Sequence, residues 1–404
     1  MENVSSSNGL EKYPKLRFPG FTEPWKTTQL CNLFSKNTQK NSKGTVTNVI
    51  SNSAKNGLIH QKDYFDKDIA NADNTAGYYI ISKNDFVYNP RKSTDAPYGP
   101  ISRYTYGEDG IVSPLYLCFR GNNDVNPEYF ERFFKSSVWH RYIYMSGDSG
   151  ARHDRVSIKD ETFFEMPIHM PSNEEQKKIA AFLSLIEQKI ECQSALVENL
   201  KKYKRGLHLW VFNKMRKPYW NKSNLRDIAV FCGGGTPSKD TPSYWTGNIG
   251  WISSSDLQEE WIDTISITRR INKTAIDNSA TKVCPKGSIA IVSRVGVGKV
   301  AVMPEALCTS QDFTNITAIE GNPQFMAYQI AYKMKTEAAK TQGTAIKGIT
   351  VDAIKSMEID IPTMEEQYHI AKMLSAFDNR LRQEVQKLDN LSKVRKALLQ
   401  YLFI

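Results

Sequence analysis

A chain of 404 residues, 40 % hydrophobic and 24 % charged, has length and apolar content for two or three domains with buried cores, which excludes a disordered or fibrous chain. No apolar run approaches the roughly 20 residues of a membrane-spanning helix. The opening "MENVSSSNGLEKYPKLRF" lacks the apolar centre of a signal peptide, and six scattered cysteines without a CxxC pair argue against zinc, so a reduced, cytoplasmic setting is expected. The formal net charge of +10 points to a polyanionic partner, with nucleic acid the first candidate.

The first dozen residues read as a mobile polar tail. Residues 30–120 follow with short β-like runs ("GYYIIS", "DFVYN", "SPLYLCF") separated by turn signals. "NPEYFERFF" from Asn126 is a helix started by proline. At Pro171 the chain enters "PSNEEQKKIAAFLSLIEQKI", where Ser172 and Glu175 have the spacing of a capping box. Apolar residues then step by fours and threes through Ile179, Leu183, Ile186, Ile190, Val197, Leu200 and Leu207, with Gln193 and Lys204 in the two gaps. That is the seam of a coiled coil.

The second half repeats the plan. "PYWNKSNLRDIAVF" near Trp220 echoes "EPWKTTQLCNLFS" near Trp25, and "NPQFMAYQI" echoes "NPEYFERFF". "QGTAIKGITV" parallels "SGARHDRVSI". Between these landmarks stand other β-like runs, "IGWISS", "SIAIVSRVGVGKVAVM" and "TNITAI". The half closes on "PTMEEQYHIAKMLSAFDNRL", with Thr363 and Glu366 at the capping positions and a seam of Ile370, Leu374, Phe377, Leu381, Leu388, Leu391 and Leu398. Glu384 and Arg395 fill the matching gaps. Each long helix should run for roughly 35 residues, about 50 Å, carry acids at its start and cations at its end, and pair most simply with the other. The expectation is two mixed α/β (α+β) globules with a shared frame and a divergent middle, related by an approximate two-fold repeat. A polar layer of Gln193 and Glu384 would pin the helix register. Two modules held at a fixed separation suit a bipartite DNA target.

Catalytic motifs are incomplete. "SRVGVGKV" lacks the first glycine and the final Ser/Thr of a phosphate loop. "CGGGTPS" does not complete GxGxxG and suits a tight turn. "NPRK" is not a methyltransferase element, and the six histidines include no HExxH pair.

"GGGTPSKDTPSYWTGNIGWISSSDL" (233–257) and "GTAIKGITVDAIKSMEIDIPTMEEQYHIAKMLSAFD" (343–378) resemble the entry and exit of the target recognition domains in specificity (S) subunits of type I restriction–modification systems. "KLRFPGFTEPWKTTQLCNLFS" and "FFEMPIHMPSNEEQKKIAAFLSLIE" are the first-half versions, although that half lacks the GGTPS and WI-S-SDL elements. The resemblance covers nearly the whole chain. It implies target recognition domain 1 over residues 1–165, a central conserved helix over 166–212, target recognition domain 2 over 213–356 and a C-terminal conserved helix over 357–404. It further implies an antiparallel coiled coil, no catalysis by this chain, and double-stranded DNA as ligand. Two modification (adenine N6-methyltransferase) subunits would dock on the helices, and ATP-driven restriction subunits would join them. S-adenosylmethionine, ATP and magnesium would belong to those partners; no membrane is involved.

DNA reading needs cations for phosphates and arginine for guanine edges. The candidates are Arg91, Lys92, Arg103, Arg152 and Arg155 in the first half, and Lys239, Arg294, Lys299 and Lys347 in the second. The plain alternative for each is a solvated surface cation. The competing function is a coiled-coil scaffold presenting two protein-binding globules.

Overall fold

The repeated "P-x-x-E-E-Q" openings do the same work twice in the computed structural model, which describes residues 13–61, 75–147, 154–340 and 348–404. The expected N-terminal tail lies outside the described residues. By contacts the chain divides into two units: Met1–Ser194 with Lys387–Ile404, and Ala195–Gln386.

The first unit contains β1 (Lys26–Gln29), β2 (Phe34–Lys36), β3 (Ile50–Ser53), β4 (Gly57–His60), β5 (Tyr79–Ile81), β6 (Phe86–Tyr88), β7 (Ile101–Arg103), β8 (Gly110–Val112), β9 (Leu117–Gly121) and β10 (Pro167–Met170). Its helices are α1 (Pro127–Lys135), α2 (His140–Ser146), α3 (Asp160–Phe164) and the start of α4 (Asn173–Leu209). The strands β1 and β10 pair antiparallel, so entry and exit lie side by side. One sheet has the order β2-β9-β6-β7. A β3–β4 hairpin and a β5–β8 pair form the other layer, joined by a parallel bridge between Val49 and Ile111.

The second unit contains β11 (Asn221–Asn224), β12 (Ala229–Gly233), β13 (Ile249–Ile252), β14 (Arg269–Ile271), β15 (Val283–Cys284), β16 (Ile289–Val292), β17 (Val300–Val302), β18 (Leu307–Thr309), β19 (Phe313–Ile319) and β20 (Glu358–Ile361). Its helices are α5 (Leu225–Ile228), α6 (Lys273–Asp277), α7 (Pro323–Lys340), α8 (Val351–Lys355) and the start of α9 (Met364–Tyr401). Here β11 pairs with β20, one sheet runs β12-β19-β16-β17 and the other β14-β13-β18-β15, with β13 parallel to β18. Strand for strand this is the topology of the first unit. The middle that looks divergent in sequence differs in filling and in the length of its connections, and not in strand order. The first unit packs aromatics, with Phe34 edge-on to Phe86, Phe119 and Phe130 at 4.9–5.5 Å. The second packs Ile289, Ile291, Ile316, Met326 and Ile330 at the same places. Any apolar set of the right total volume satisfies such a core.

Local signals work as their chemistry requires. Asn126 Oδ1 accepts from the amides of Glu128 and Tyr129 at 3.0 and 3.1 Å and so caps α1. Asn322 Oδ1 accepts from Phe325 N at 3.1 Å to cap α7. Two glycines of "CGGGTPS" are needed for close approach: a Cβ on Gly234 would lie 1.9 Å from the Ser310 carbonyl oxygen, and one on Gly235 2.4 Å from the Ala280 carbonyl carbon. Cysteines that look scattered partly converge, since the Cys284 thiol shares a hydrogen bond with Cys232, and burial pushes Cys284 up to about 12. Among the described residues no group of His, Cys, Asp or Glu could hold a metal ion, and no helix is long and apolar enough to cross a membrane.

In the first unit Ile179, Ala180 and Leu183 from the start of α4 pack with Leu398 near the end of α9 and with Leu402 and Phe403 just beyond it. In the second, Leu207 at the end of α4, with Val211 and Phe212 beyond it, packs with Ile370, Ala371 and Leu374 at the start of α9. The two helices therefore run antiparallel. Of the other seam residues, Val197, Leu381 and Glu384 are buried, while Ile186, Ile190, Gln193, Leu200, Phe377, Leu388 and Leu391 are half-buried. Glu384, only 2 % exposed, is ion-paired with Arg380 one turn earlier at 3.0 Å.

The helix openings explain their own motif. Gln176 Nε2 donates to the Pro171 carbonyl and Gln367 Nε2 to that of Pro362, at 3.1 and 2.9 Å. The Glu366 carboxylate completes a capping box with Thr363 N at 3.1 Å and also accepts from Lys217, Tyr219 and the Trp220 indole at 2.7–3.0 Å. The box expected at Ser172 needs correction. Ser172 Oγ does accept from Glu175 N at 3.3 Å, but the Glu175 carboxylate turns to Arg17, at 2.8 Å to each of two nitrogens, and to the Trp25 indole at 3.2 Å. The ion pair replaces the backbone contact because a buried carboxylate gains more from a bidentate guanidinium. Trp25 and Trp220 thus recur because each donates its indole to the matching glutamate of its unit's helix opening.

Hydrogen bonds from Lys217 and Tyr219 hold the Glu366 carboxyl down at about 2, against an ordinary 4.5. A lowered acid pKa gives stability that is present above the unfolded value and lost as pH falls through the folded one. Glu366→Gln should therefore flatten the loss of stability between about pH 5 and pH 2. Urea midpoints across that range check it, and a slope equal to that of the unaltered protein would contradict it.

Candidate nucleic-acid interface

In each unit the strand-to-strand connection after the third strand of the first sheet projects an arginine beside the chain's exit segment. After β6 the chain runs Asn89–Pro90–Arg91–Lys92. Asn89 anchors it, its Oδ1 accepting from Arg91 N and its Nδ2 donating to the Asn52 carbonyl, both at 3.1 Å. The exit segment then zips on: Val156 N donates to Pro90 O and Lys92 N to Asp154 O, both at 2.8 Å, with Arg91 bridged to Arg155. Gly99 closes the loop at φ 81°, where a Cβ would meet the Asn89 carbonyl oxygen at 2.2 Å. Arg91 and Lys92 are exposed and Arg155 is half-buried. Arg91 and Lys92 line, with Lys55, Asn89 and Tyr116, an open cleft of about 600 Å³. Burial raises the Tyr116 hydroxyl, while the charges of Arg155 and Arg91 pull it down.

After β16 the chain runs Ser293–Arg294–Val295–Gly296–Val297–Gly298–Lys299 into β17. Ile349 N donates to Ser293 O at 2.8 Å, the counterpart of Val156 on Pro90. Gly348, at φ 123°, leaves only 2.8 Å between a would-be Cβ and the same carbonyl oxygen. Arg294 and Val295 are exposed at the tip, and Gly296 and Gly298 take φ 80° and 99°, which glycine allows without strain. The loop is a hairpin and not the strand-to-helix turn that a phosphate loop requires.

Not every candidate lies on these loops. Arg103 pairs with Glu131 at 2.8 Å and donates to Asn84 at 3.0 Å, with its side chain 14 % exposed. Its guanidinium is engaged inside the unit: adjacent β7 residues alternate faces, and this one faces α1. Lys299 Nζ donates to the Ser254 carbonyl at 2.9 Å, so it braces its loop. Lys239 is exposed on the glycine-rich turn. Arg152 and Lys347 lie outside the described residues.

Sequence reasoning passed over three residues. Lys55 sits in the β3–β4 turn, where "KNG" reads as turn chemistry alone. Arg269 stacks on Trp251, 4.6 Å from the ring centroid, and pairs with Asp256. Ser254 belongs to "WISSSDL", whose Ser253 and Asp256 form a capping box that presents the Ser254 carbonyl to Lys299. Trp251 is core, its indole donating to the Gly235 carbonyl at 2.9 Å, and Trp245 packs edge-on to it.

The family model described as "Type I restriction modification DNA specificity domain" matches residues 23–202 and 219–393, one match in each repeat. The chain belongs to this family. Among curated relatives, the MjaIX specificity subunit of Methanocaldococcus jannaschii is 32 % identical over 46 % of this chain and 44 % of its own length. The EcoR124I/EcoR124II specificity subunit of Escherichia coli is 28 % identical over 62 % and 64 %. The chain thus spans about half to two thirds of these relatives. Two solved structures share the fold across nearly the whole chain. One comes from work on complex assembly and conformational transition of the type I R-M system, with TM-score 0.61, 16 % identity and coverage of 95 % and 98 %. The other is the S subunit from M. genitalium, with TM-score 0.57, 14 % identity and coverage of 97 % and 99 %.

Proposed function

We propose that this chain is the DNA-recognition subunit of a type I restriction–modification assembly and performs no catalysis itself. Each unit reads one half of a split double-stranded target, and the antiparallel helices set the gap between the halves. The observation that carries this is the matching placement of Arg91 and Arg294, on the same connection of the same topology and each zipped to its exit segment. A scaffold for two unrelated protein ligands has no need of equivalent cationic loops. Arg155, Lys92 and Lys55 add phosphate contacts around the first loop. Family membership extends the reading to partners: two modification subunits dock on the helices and direct adenine N6 methylation, and restriction subunits join them in the cytoplasm. S-adenosylmethionine, ATP and magnesium are held by those partners. Gln193 and Glu384 pin the register of the helix pair.

Salt dependence tests the phosphate contacts. The assembled complex should lose DNA affinity linearly on a log–log plot, with a slope of about −0.9 for each phosphate neutralised. Binding indifferent to salt would sink the reading and favour the scaffold.

A further inference from the structure

The second unit carries an attachment to its helices that the first lacks among the described residues. Strands β3 and β4 are joined by the tight turn at residues 54–56, whereas the corresponding β13 and β14 are separated by residues 253–268. Midway along that longer connection Trp261, 8 % exposed, is in contact with two helix cations. Lys204 Nζ of α4 sits 4.7 Å from the indole centroid and Arg382 Cζ of α9 sits 4.8 Å from it. Both cations are themselves held. Lys204 pairs with Asp378 at 2.7 Å and donates to the Glu260 carbonyl, and Arg382 pairs with Asp263 at 2.5 Å.

The same connection reaches the candidate interface. Ser254 at its start receives Lys299, and Ile262, next to Trp261, accepts from Val302 N of β17 at 2.7 Å. Residues 253–268 therefore link the helix pair to Lys299 and Val302, on the β17 side of the Arg294 loop. A tryptophan in contact with a cation from each helix ties the globule to both helices at one point, since each cation is attracted to the ring's electron-rich face.

We propose that Trp261 is a positioning residue, which fixes the Arg294 loop on the helix pair and makes the second unit hold a strict gap length between the half-sites. This rests on the DNA-recognition reading above. Its test compares the full complex carrying Trp261→Ala, Trp261→Phe or no change on DNA with the cognate gap and on DNA with that gap lengthened or shortened by one base pair, reading N6-adenine methylation. In Trp261→Ala the preference for the cognate gap should fall about tenfold while base preference in both half-sites is kept. Trp261→Phe, with a ring still beside the cations, should keep most of the preference. Unchanged gap preference in Trp261→Ala would overturn the proposal. If that variant does not assemble, Arg382→Gln leaves the tryptophan in place and decides the question: a fall supports the proposal and no change overturns it. No methylation of any target by the unaltered complex would overturn the DNA-recognition reading and this inference with it.

Discussion

A complex carrying Arg294→Ala should bind its specific DNA about 5- to 150-fold more weakly, the factor given by losing about 1–3 kcal/mol from one bidentate base contact. The loss should fall on one half-site only: scrambling the base pairs under that loop would then cost the variant little, while scrambling the other half would cost it as much as before. Arg91→Ala should show the converse. The two arginines lie in different units, so their effects should multiply in the double variant. Equal weakening on specific and random DNA would assign Arg294 to phosphate, with the salt slope reduced by about one. Arg103→Ala is the internal comparison. Its guanidinium is paired with Glu131, so its loss should lower stability and leave sequence preference alone. Fluorescence anisotropy on a panel of duplexes separates these outcomes.

The largest stability effect is expected at Asp378. Its carboxylate, 2 % exposed, meets Lys204 at 2.7 Å and the Tyr328 hydroxyl at 2.9 Å. Asp378→Ala removes the counter-ion of a lysine that is itself 13 % exposed and keeps only the Glu260 carbonyl and the Trp261 ring. Breaking a buried pair from one side costs about 3–5 kcal/mol, which lowers the midpoint of a unit this size by about 10 °C. Replacing both partners, Lys204→Met with Asp378→Leu, should recover most of the loss. The pKa direction supports this. Burial raises the Asp378 carboxyl, with Lys204 opposing, so desolvation outweighs pairing. A raised acid favours the protonated fold, so the contribution is fullest below the ordinary Asp value and declines as pH rises through the folded one. Thermal unfolding of the single and double variants checks the claim, and a double variant as unstable as Asp378→Ala would contradict it. The first unit has Glu187 at the corresponding place, paired with Arg132 at 2.7 Å and Lys135 at 3.3 Å.

Much of the frame was legible because local chemistry repeats in register. Proline, glutamate and glutamine at the helix openings, and asparagine-proline before α1 and α7, each satisfy backbone or indole groups that any such helix start presents. The shared topology of the middles was not legible. Phe86 and Ile289, or Phe119 and Ile316, fill equivalent core positions with side chains of unlike type, and strand pairing leaves little sequence record beyond apolar character. The site divided along the same line. Arg91 and Arg294 stood out beside turn residues. The inward turn of Arg103 depends on Glu131, far along the chain, and the grip on Trp261 depends on cations from two helices, which no local pattern announces.

The central claim is that each unit reads its own half of one split target. Co-expression of this chain with its modification subunits, in a host without adenine methylation, followed by sequencing for N6-methyladenine, tests it most directly. The account predicts one bipartite motif around a fixed gap, of which only one half changes when residues 225–350 are exchanged for another recognition domain. A stable complex that adds no methylation, or an exchange that alters both halves together, would contradict it.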